Sequence, residues 1–526
     1  MSERNDKVRA RLADDRFQVA LVGEGVLIGL FSGLLVAAYR FSLTEAEKAV
    51  RFVTGLASGH PLAVAGWFGV LLVLAVVVGV LVRWEPDTSG SGIPQVDAEV
   101  MGARNMRWHH VIVAKFVEGT LGALGGLSLG REGPSVQLGG MAGKAISRLL
   151  KRGRGEERLL VTCGAGAGMA AAFHAPLTGV MFALEEIHKT FSAPLIISVM
   201  SSAVVSDYVA SQLLGLAPVV AFKLDAYLPH QSYLLLVPFG IAMGAIGALH
   251  NRGMFALQDL LDKVRVHAPF LRLAIAFCLA GVVAFVAPDL MCGGDAILEL
   301  LERPQTLTLA TLAFLLAGKF LFTGVCFGSG APGGTLFPLV VMGALSGAIL
   351  GVPLTRLFGL DADLISNCMV LGIAGMFAGA IRAPVTAVVL AFELTGSLQA
   401  LLSLSIVSVL AYVTANLLRV DAYYEHLLGR LLGVSAEEAH GRWGARGRQI
   451  QTYTVEAGSD LAGRRIADVA WPSSTLVLTI TRFGDDIVPH GDTELEAGDE
   501  LLVLLNERSG EFAESRIRSM CRGRFL

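Results

Sequence analysis

Charge is scarce in this chain. Only 17% of its 526 residues are Asp, Glu, Lys or Arg, against 53% hydrophobic residues and a mean hydropathy of +0.61. Soluble domains rarely combine these values, so the composition describes a polytopic membrane protein. The net charge of -3 predicts no nucleic-acid partner. Cysteine is sparse as well. The six residues, at 163, 278, 292, 326, 368 and 521, show no metal-ligand spacing. Most lie in apolar segments and read as packing residues, not disulfides. No cleavable signal peptide is evident, because Met1–Arg16 is polar, without a basic stretch leading into a short apolar core. No Ser, His and Asp come together in a recognisable hydrolase motif, so the reading is non-enzymatic, with no metal site and no cofactor required.

What the chain has in quantity is apolar sequence cut by glycine and proline. Runs long enough to span a bilayer cover Val19–Tyr39 and Leu62–Val82. A turn-rich insert, Trp84 to Pro94, leads into a short segment. Val111–Leu129 is apolar but carries Lys115 and Glu118. A helix is expected from Pro134 to about Leu150, and the basic loop Lys151-Arg152-Gly153-Arg154 places its end in the cytoplasm. Val161–Leu184 is broken at His174-Ala175-Pro176 and ends at Glu185-Glu186. Further runs are Leu195–Leu214, Tyr233–Leu249, Phe270–Val286 and Leu309–Cys326, then a block from Leu339 to about Leu418 broken at Arg382-Ala383-Pro384. Broken helices at membrane depth are tolerated where they are buried in protein or line a cavity.

The stretch Gly130-Arg131-Glu132-Gly133-Pro134-Ser135 places two ionisable groups in these apolar surroundings. Such groups are costly in a bilayer and mark ion or proton pathways. Pro134 can open a helix, whose free N–H groups and positive dipole end favour an anion. The chain also repeats itself. His174 to Glu185 aligns without gaps to Arg382 to Glu393, with six of twelve positions identical, and Pro134, Gly139 and Gly143 match Pro338, Gly343 and Gly347. Gly/Pro-interrupted segments at corresponding places in two halves point to a transporter binding site.

From about Gln449 the character changes to that of a small soluble α+β domain. Thr475–Thr481 and Glu500–Leu505 read as strands. Phe483–Pro489 and Leu495–Asp499 read as turns flanking a short strand. Asp485, Asp486, His490 and Asp492 read as turn residues in preference to metal ligands.

Three loops carry a family resemblance: Gly90-Ser91-Gly92-Ile93-Pro94, Gly130-Arg131-Glu132-Gly133-Pro134 and Gly330-Ala331-Pro332-Gly333-Gly334. In this order, with the repeat, the chain resembles the CLC family of chloride channels and chloride/proton antiporters over about residues 17–430. The tail resembles the TrkA-C (RCK-C) domain, not the CBS pair of many relatives. The resemblance implies an all-α polytopic membrane protein, an inverted repeat of broken, tilted helices, with a small C-terminal α+β domain. The expected layout is a cytoplasmic segment 1–16, a transmembrane domain 17–435 with halves of about 17–220 and 230–435, a linker 436–448 and a regulatory domain 449–526. It implies a homodimer in the cell membrane with both termini cytoplasmic, and lipid, chloride and protons as partners. A nucleotide such as cyclic di-AMP, or another small ligand, is the implied class of regulator for the tail. No phosphate-cradling motif identifies it.

The resemblance also assigns residues. Ser91 and Tyr424 align with hydroxyls that meet the central anion, and Thr335 and Leu336 with residues whose N–H groups bind it. Adjacent Tyr423 competes with Tyr424, and the following Leu427-Leu428-Gly429-Arg430 favours the latter. Glu132 aligns with the gating glutamate and Glu186 with the internal proton-transfer glutamate. Arg131 shapes the local field. Lys115 and Lys319 either raise local anion concentration or neutralise buried carboxylates. Glu185 and Glu393 pair in the repeat and read as structural or interfacial. In the third loop Leu336 stands where relatives place phenylalanine, which puts the aromatic constriction in doubt. The leading reading is proton-coupled chloride antiport. The alternatives are a passive chloride channel, a fluoride/proton antiporter (disfavoured by Ser91) and a non-transporting membrane sensor.

Overall fold

The computed structural model describes residues 15–215, 222, 230–263, 269–303, 307–358, 364–396, 400–434, 448–456, 458–472, 475–482, 485–506 and 510–522. The expected segment 1–16 and linker 436–448 fall almost wholly outside these residues. The chain divides into two compact units, Met1–Leu428 and Gly429–Leu526.

The first unit is helical. Its first half runs through α1 (Asp15–Ala57), α2 (Pro61–Trp84), α3 (Ile93–Met101), α4 (Trp108–Leu124), α5 (Glu132–Leu149), α6 (Arg154–Phe173), α7 (Pro176–Phe182) and α8 (Ala193–Leu214). Its second half repeats that order: α9 (Leu236–Lys263), α10 (Pro269–Val286), α11 (Asp295–Leu301), α12 (Leu309–Gly328), α13 (Leu336–Phe358), α14 (Leu364–Ile381), α15 (Pro384–Thr395) and α16 (Leu401–Leu417). A further helix, α17 (Tyr423–Leu432), follows. Among the described residues, seven helices are long and apolar enough to cross a membrane.

Several boundaries differ from the sequence expectation, as when α9 runs past Leu249 to Lys263. Helix α1 continues past Tyr39 to Ala57, because the charged residues from Arg40 to Arg51 end the apolar run without breaking the helix. Helix α5 begins at Glu132, two residues before Pro134. Pro134 still lies in the first turn, where the N–H it lacks would have no intrahelical partner. The short α11 was not foreseen, although it is the repeat partner of α3.

Small residues let the central helices touch backbone to backbone. A Cβ at Gly139 of α5 would lie 2.1 Å from the Gly164 carbonyl of α6, and one at Gly164 would lie 2.1 Å from the Gly139 carbonyl. In the second half, α13 and α14 meet through Gly343 and Gly372 in the same manner. The broken helices are capped across the repeat. Glu185 accepts hydrogen bonds from the Val385 and Thr386 N–H groups and the Thr386 hydroxyl, at 3.2, 2.8 and 2.7 Å. Glu393 accepts the same set from Leu177 and Thr178, at 2.9, 2.7 and 2.6 Å. Each carboxylate meets the positive end of the other half's helix. Such reciprocal contacts are what an approximate two-fold axis produces. His174 and Arg382, the residues at the two breaks, are both left-handed, with φ of 55° and 76°.

Among the described residues the tail is a four-stranded antiparallel sheet with one α-helix. The strands are β1 (Arg448–Thr454), β2 (Leu476–Arg482), β3 (Asp485–Ile487) and β4 (Glu500–Asn506), in the order β1-β4-β2-β3, and α18 spans Gly510–Cys521. Tyr453, Val455, Leu461, Ile480, Leu501, Val503 and Ile517 form its core. The short strand lies at Asp485–Ile487, inside the stretch read as a turn, and no strand follows it before β4 among the described residues. Phe483 and Gly484 lie outside those residues.

Asp499, at the turn into β4, is buried and takes the Arg482 guanidinium as a fork, 2.8 and 2.9 Å away. Burial works to raise its carboxyl, but the Arg482 hydrogen bonds and charge, with the Glu496 N–H, outweigh it and hold the pKa below the usual carboxylate range. A depressed folded pKa gives stability that is complete above the unfolded value of about 4 and is lost as pH falls through the folded pKa. Asp499→Asn is expected to destabilise the tail by about 2 kcal/mol at neutral pH. The difference from wild type should shrink in acid, as read by hydrogen exchange of β4 in the full-length protein.

Candidate functional site

The three glycine-rich loops end at the N-termini of α3, α5 and α13, and hydrogen bonds tie them together. Gly130 N–H donates to the Gly334 carbonyl at 2.6 Å, and Gly334 N–H returns the bond at 2.8 Å. Gly333 N–H donates to the Gly90 carbonyl at 3.0 Å, and the Ser89 hydroxyl to the Gly330 carbonyl at 3.1 Å. Gly133 lies so close to the first loop that a Cβ there would stand 2.5 Å from both Ser91 O and Oγ. The chain can close this junction only with glycine at that place.

Side chains at the junction are buried yet incompletely bonded. Ser91 Oγ and the hydroxyls of Tyr423 and Tyr424 have no hydrogen-bond partner among the described residues. The Tyr424 hydroxyl is turned toward Ser91 and that of Tyr423 toward Thr335. Both rings are buried and stand edge to face, 5.4 Å apart. Buried polar atoms are normally satisfied, so unpartnered ones around one point mark a place for a polar guest. At the start of α13, the Thr335 and Leu336 N–H groups have no acceptor among the described residues.

Glu132 is fully buried, and one carboxylate oxygen accepts the Phe337 N–H at 3.2 Å. The carboxylate therefore sits where the first turn of α13 would hold an anion. Its other oxygen has no hydrogen bond and stands 3.7 Å from Arg131 Nε. The helix start turns both side chains toward the same point. Arg131 also approaches Asp295 at 3.8 Å and covers the Phe337 ring at 5.0 Å. Phe337 was missed as a functional residue, because a backbone donor leaves no mark in the sequence. Its ring lines a cleft with Arg131, Glu47 and Asp295, while Leu336 is buried at the position where an aromatic was in question.

Glu186 lies in a π-helical turn, Ala183–His188, and is buried with one oxygen unpartnered. Its charged neighbours are Lys189, Glu425, Asp97 and Glu185. Tyr424 has both Glu186 and Glu132 as neighbours, so the expected proton and anion residues share one region.

The lysines do something the sequence reading did not anticipate. Lys115 donates to the Thr88 and Gly90 carbonyls, both at 2.7 Å, and Lys319 donates to the Leu290 and Cys292 carbonyls at 3.2 and 2.7 Å. Each half thus has a buried ammonium that fixes the loop leading into its short helix. A cation so used still adds positive potential to the site.

An arrangement of three helix ends, free N–H groups and hydroxyls inside a helical membrane bundle can hold a dehydrated anion without a metal or a fixed counter-charge. That is the construction of a membrane ion-conducting protein. Residues 69–416 match the Voltage gated chloride channel family, about two thirds of the chain, and residues 450–512 match the TrkA-C domain. The chain belongs to the voltage-gated chloride channel family. The H(+)/Cl(-) exchange transporter ClcA of Citrobacter koseri is 29% identical over 456 residues, covering 83% of this chain and 94% of that protein. The ClcA of Salmonella agona gives the same figures. Among solved structures, a slow cyanobacterial Cl-/H+ antiporter is similar, with a TM-score of 0.74, 27% identity, and coverage of 78% of this chain and 98% of the other. A CLC-type fluoride/proton antiporter shares the fold, with a TM-score of 0.65, 22% identity, and coverage of 78% of this chain and 98% of the other.

Gly133→Ala tests the junction directly. The added methyl group has no room beside Ser91, so calorimetric chloride binding should weaken at least about tenfold, the effect of 1.4 kcal/mol. Unchanged binding would move the anion away from Ser91.

Proposed function

We propose that this protein exchanges chloride for protons across the membrane. The observation that carries the reading is Glu132: an ionisable side chain occupies a helix N-terminus suited to an anion, so chloride and carboxylate compete for one place. When chloride arrives, Glu132 must leave, and it leaves at least cost as the neutral acid. Each exchange of occupant therefore moves a proton. Ser91, Tyr424 and the N–H groups of Thr335 and Leu336 hold chloride in this scheme, and Arg131, Lys115 and Lys319 supply positive potential. Glu186 delivers protons from the opposite face, a role its unpartnered buried carboxylate suits. The exchange activity of the similar ClcA proteins supports the reading. A passive channel would have no use for a second buried carboxylate beside Tyr424.

The transport unit is residues 17–435, joined by 436–448 to a regulatory domain of 449–526 that responds to a small ligand, a nucleotide being the favoured class. The family resemblance further supports a homodimer in the cell membrane with cytoplasmic termini. The test is proton movement in proteoliposomes, driven only by a chloride gradient at controlled membrane potential. Uphill proton movement is expected. Chloride flux without protons would make the protein a channel, and faster flux of fluoride than of chloride would make fluoride its cargo.

A further inference from the structure

One buried carboxylate has no part in this scheme. Glu118 lies on α4, fully buried. One of its oxygens accepts the Thr88 hydroxyl at 3.1 Å, and the other has no partner among the described residues. Lys115, a turn earlier, does not fill that vacancy, since its ammonium donates to the Thr88 and Gly90 carbonyls. The charged groups that face Glu118 are Lys115 and Glu85. From α1 comes Tyr39, also buried. Its hydroxyl presses on Gly119 so closely that a Cβ there would stand 2.0 Å from the phenolic oxygen. Tyr39 has Glu132 and Glu118 as its charged neighbours, and it lines the same cleft as Gly119, Gly130, Arg131 and Phe337. Burying a carboxylate with a free oxygen is costly, and an intramembrane ionisable group with no structural partner for that oxygen calls for a functional one.

We propose that Glu118 is a second proton-holding carboxylate, reached from Glu132 through the Tyr39 hydroxyl. The proposal rests on the exchange reading above. In the transfer, Glu132 and Tyr39 swing to hydrogen-bonding distance, Tyr39 from Glu132 and from Glu118, and the Glu132 carboxyl proton passes to the Tyr39 oxygen as the Tyr39 hydroxyl proton passes to the free oxygen of Glu118. O–H bonds break at Glu132 and Tyr39 and form at Tyr39 and Glu118. Tyr39 ends neutral, and the negative charge moves from Glu118 to Glu132. Glu132, now a carboxylate, returns to the Phe337 N–H while its proton waits on Glu118. Gly119 serves by leaving room for the tyrosine oxygen.

The experiment uses the full-length protein in proteoliposomes. Glu118→Gln keeps the size of the side chain and the acceptor for Thr88, and Tyr39→Phe keeps the ring. Each should lower chloride-driven proton flux about tenfold, within the range that positioned acid–base groups contribute. Infrared difference spectra taken with and without chloride should lose a protonated-carboxyl band in Glu118→Gln. Proton flux at the wild-type rate in both variants would overturn the proposal. So would an equal fall in chloride flux when Glu118→Gln is added to Glu132→Ala, which moves no protons, because Glu118 would then only shape the anion loop. Absence of uphill proton movement in the unmutated protein is a separate result: it removes the exchange reading, and this relay with it.

Discussion

Glu132→Gln will abolish chloride-driven proton movement and leave chloride flux passive. In the proposed exchange the carboxylate does two things that the amide cannot. It competes with chloride as an anion at the Phe337 N–H, and it departs as an acid carrying a proton. Glutamine keeps the size of the side chain and removes the exchangeable charge. Proton flux should fall by about 100-fold or more, the scale on which a transferring acid–base group acts. Chloride should still pass, because Ser91, Tyr424 and the three helix ends remain. Glu132→Ala empties the position altogether and should give the faster chloride flux of the two variants. Coupling that survives either change would take Glu132 out of the exchange cycle.

Glu186→Gln will give the second large effect, and it separates exchange from conduction more sharply. Glu186 is distinct from the expected chloride ligands, so its replacement should leave calorimetric chloride affinity within a factor of about 2, under 0.5 kcal/mol. Chloride-driven proton flux should nevertheless fall by about 100-fold. The paired measurement is essential, because a variant that merely unfolds loses both. Retained proton coupling would leave the proton route to other buried acids near Glu186, of which Asp97, with an unpartnered oxygen of its own, is the first to examine.

Much of this site was legible in the sequence, and the reason is geometric. Glycine and proline punctuate the chain where it must leave a helix and start another, so Gly90–Pro94, Gly130–Pro134 and Gly330–Gly334 announced themselves as helix openings. The loops then come together through bonds among those same glycines. The gapless alignment of His174–Glu185 with Arg382–Glu393 likewise anticipated the reciprocal caps, since only paired positions can exchange partners.

What stayed hidden were contacts made by the backbone. No residue type signals that the Phe337 N–H receives Glu132, because every non-proline residue carries such a donor. Lys115 and Lys319 looked like field-setting charges. Their bonds to loop carbonyls depend on where distant segments fold back, which hydropathy does not encode. Strand β1, Arg448–Thr454, was passed over because its polar alternation follows an apolar membrane domain and lacks the dense hydrophobic run of β4. Helix α11 was overlooked although the repeat demanded it, since Asp295–Leu301 is too short for its periodicity to stand out.

The reciprocal pair of hydrogen bonds between Gly130 and Gly334 bears on how such a protein can work. Transporters built from two repeats commonly open by rocking one half against the other. Here the halves are stitched beside the proposed ion site, and pulling them apart would strand backbone groups at membrane depth, at several kcal/mol each. In the proposed exchange the moving part is therefore a single side chain, that of Glu132. Its cycle displaces little lipid, and its turnover should be nearly indifferent to the thickness and stiffness of the surrounding bilayer.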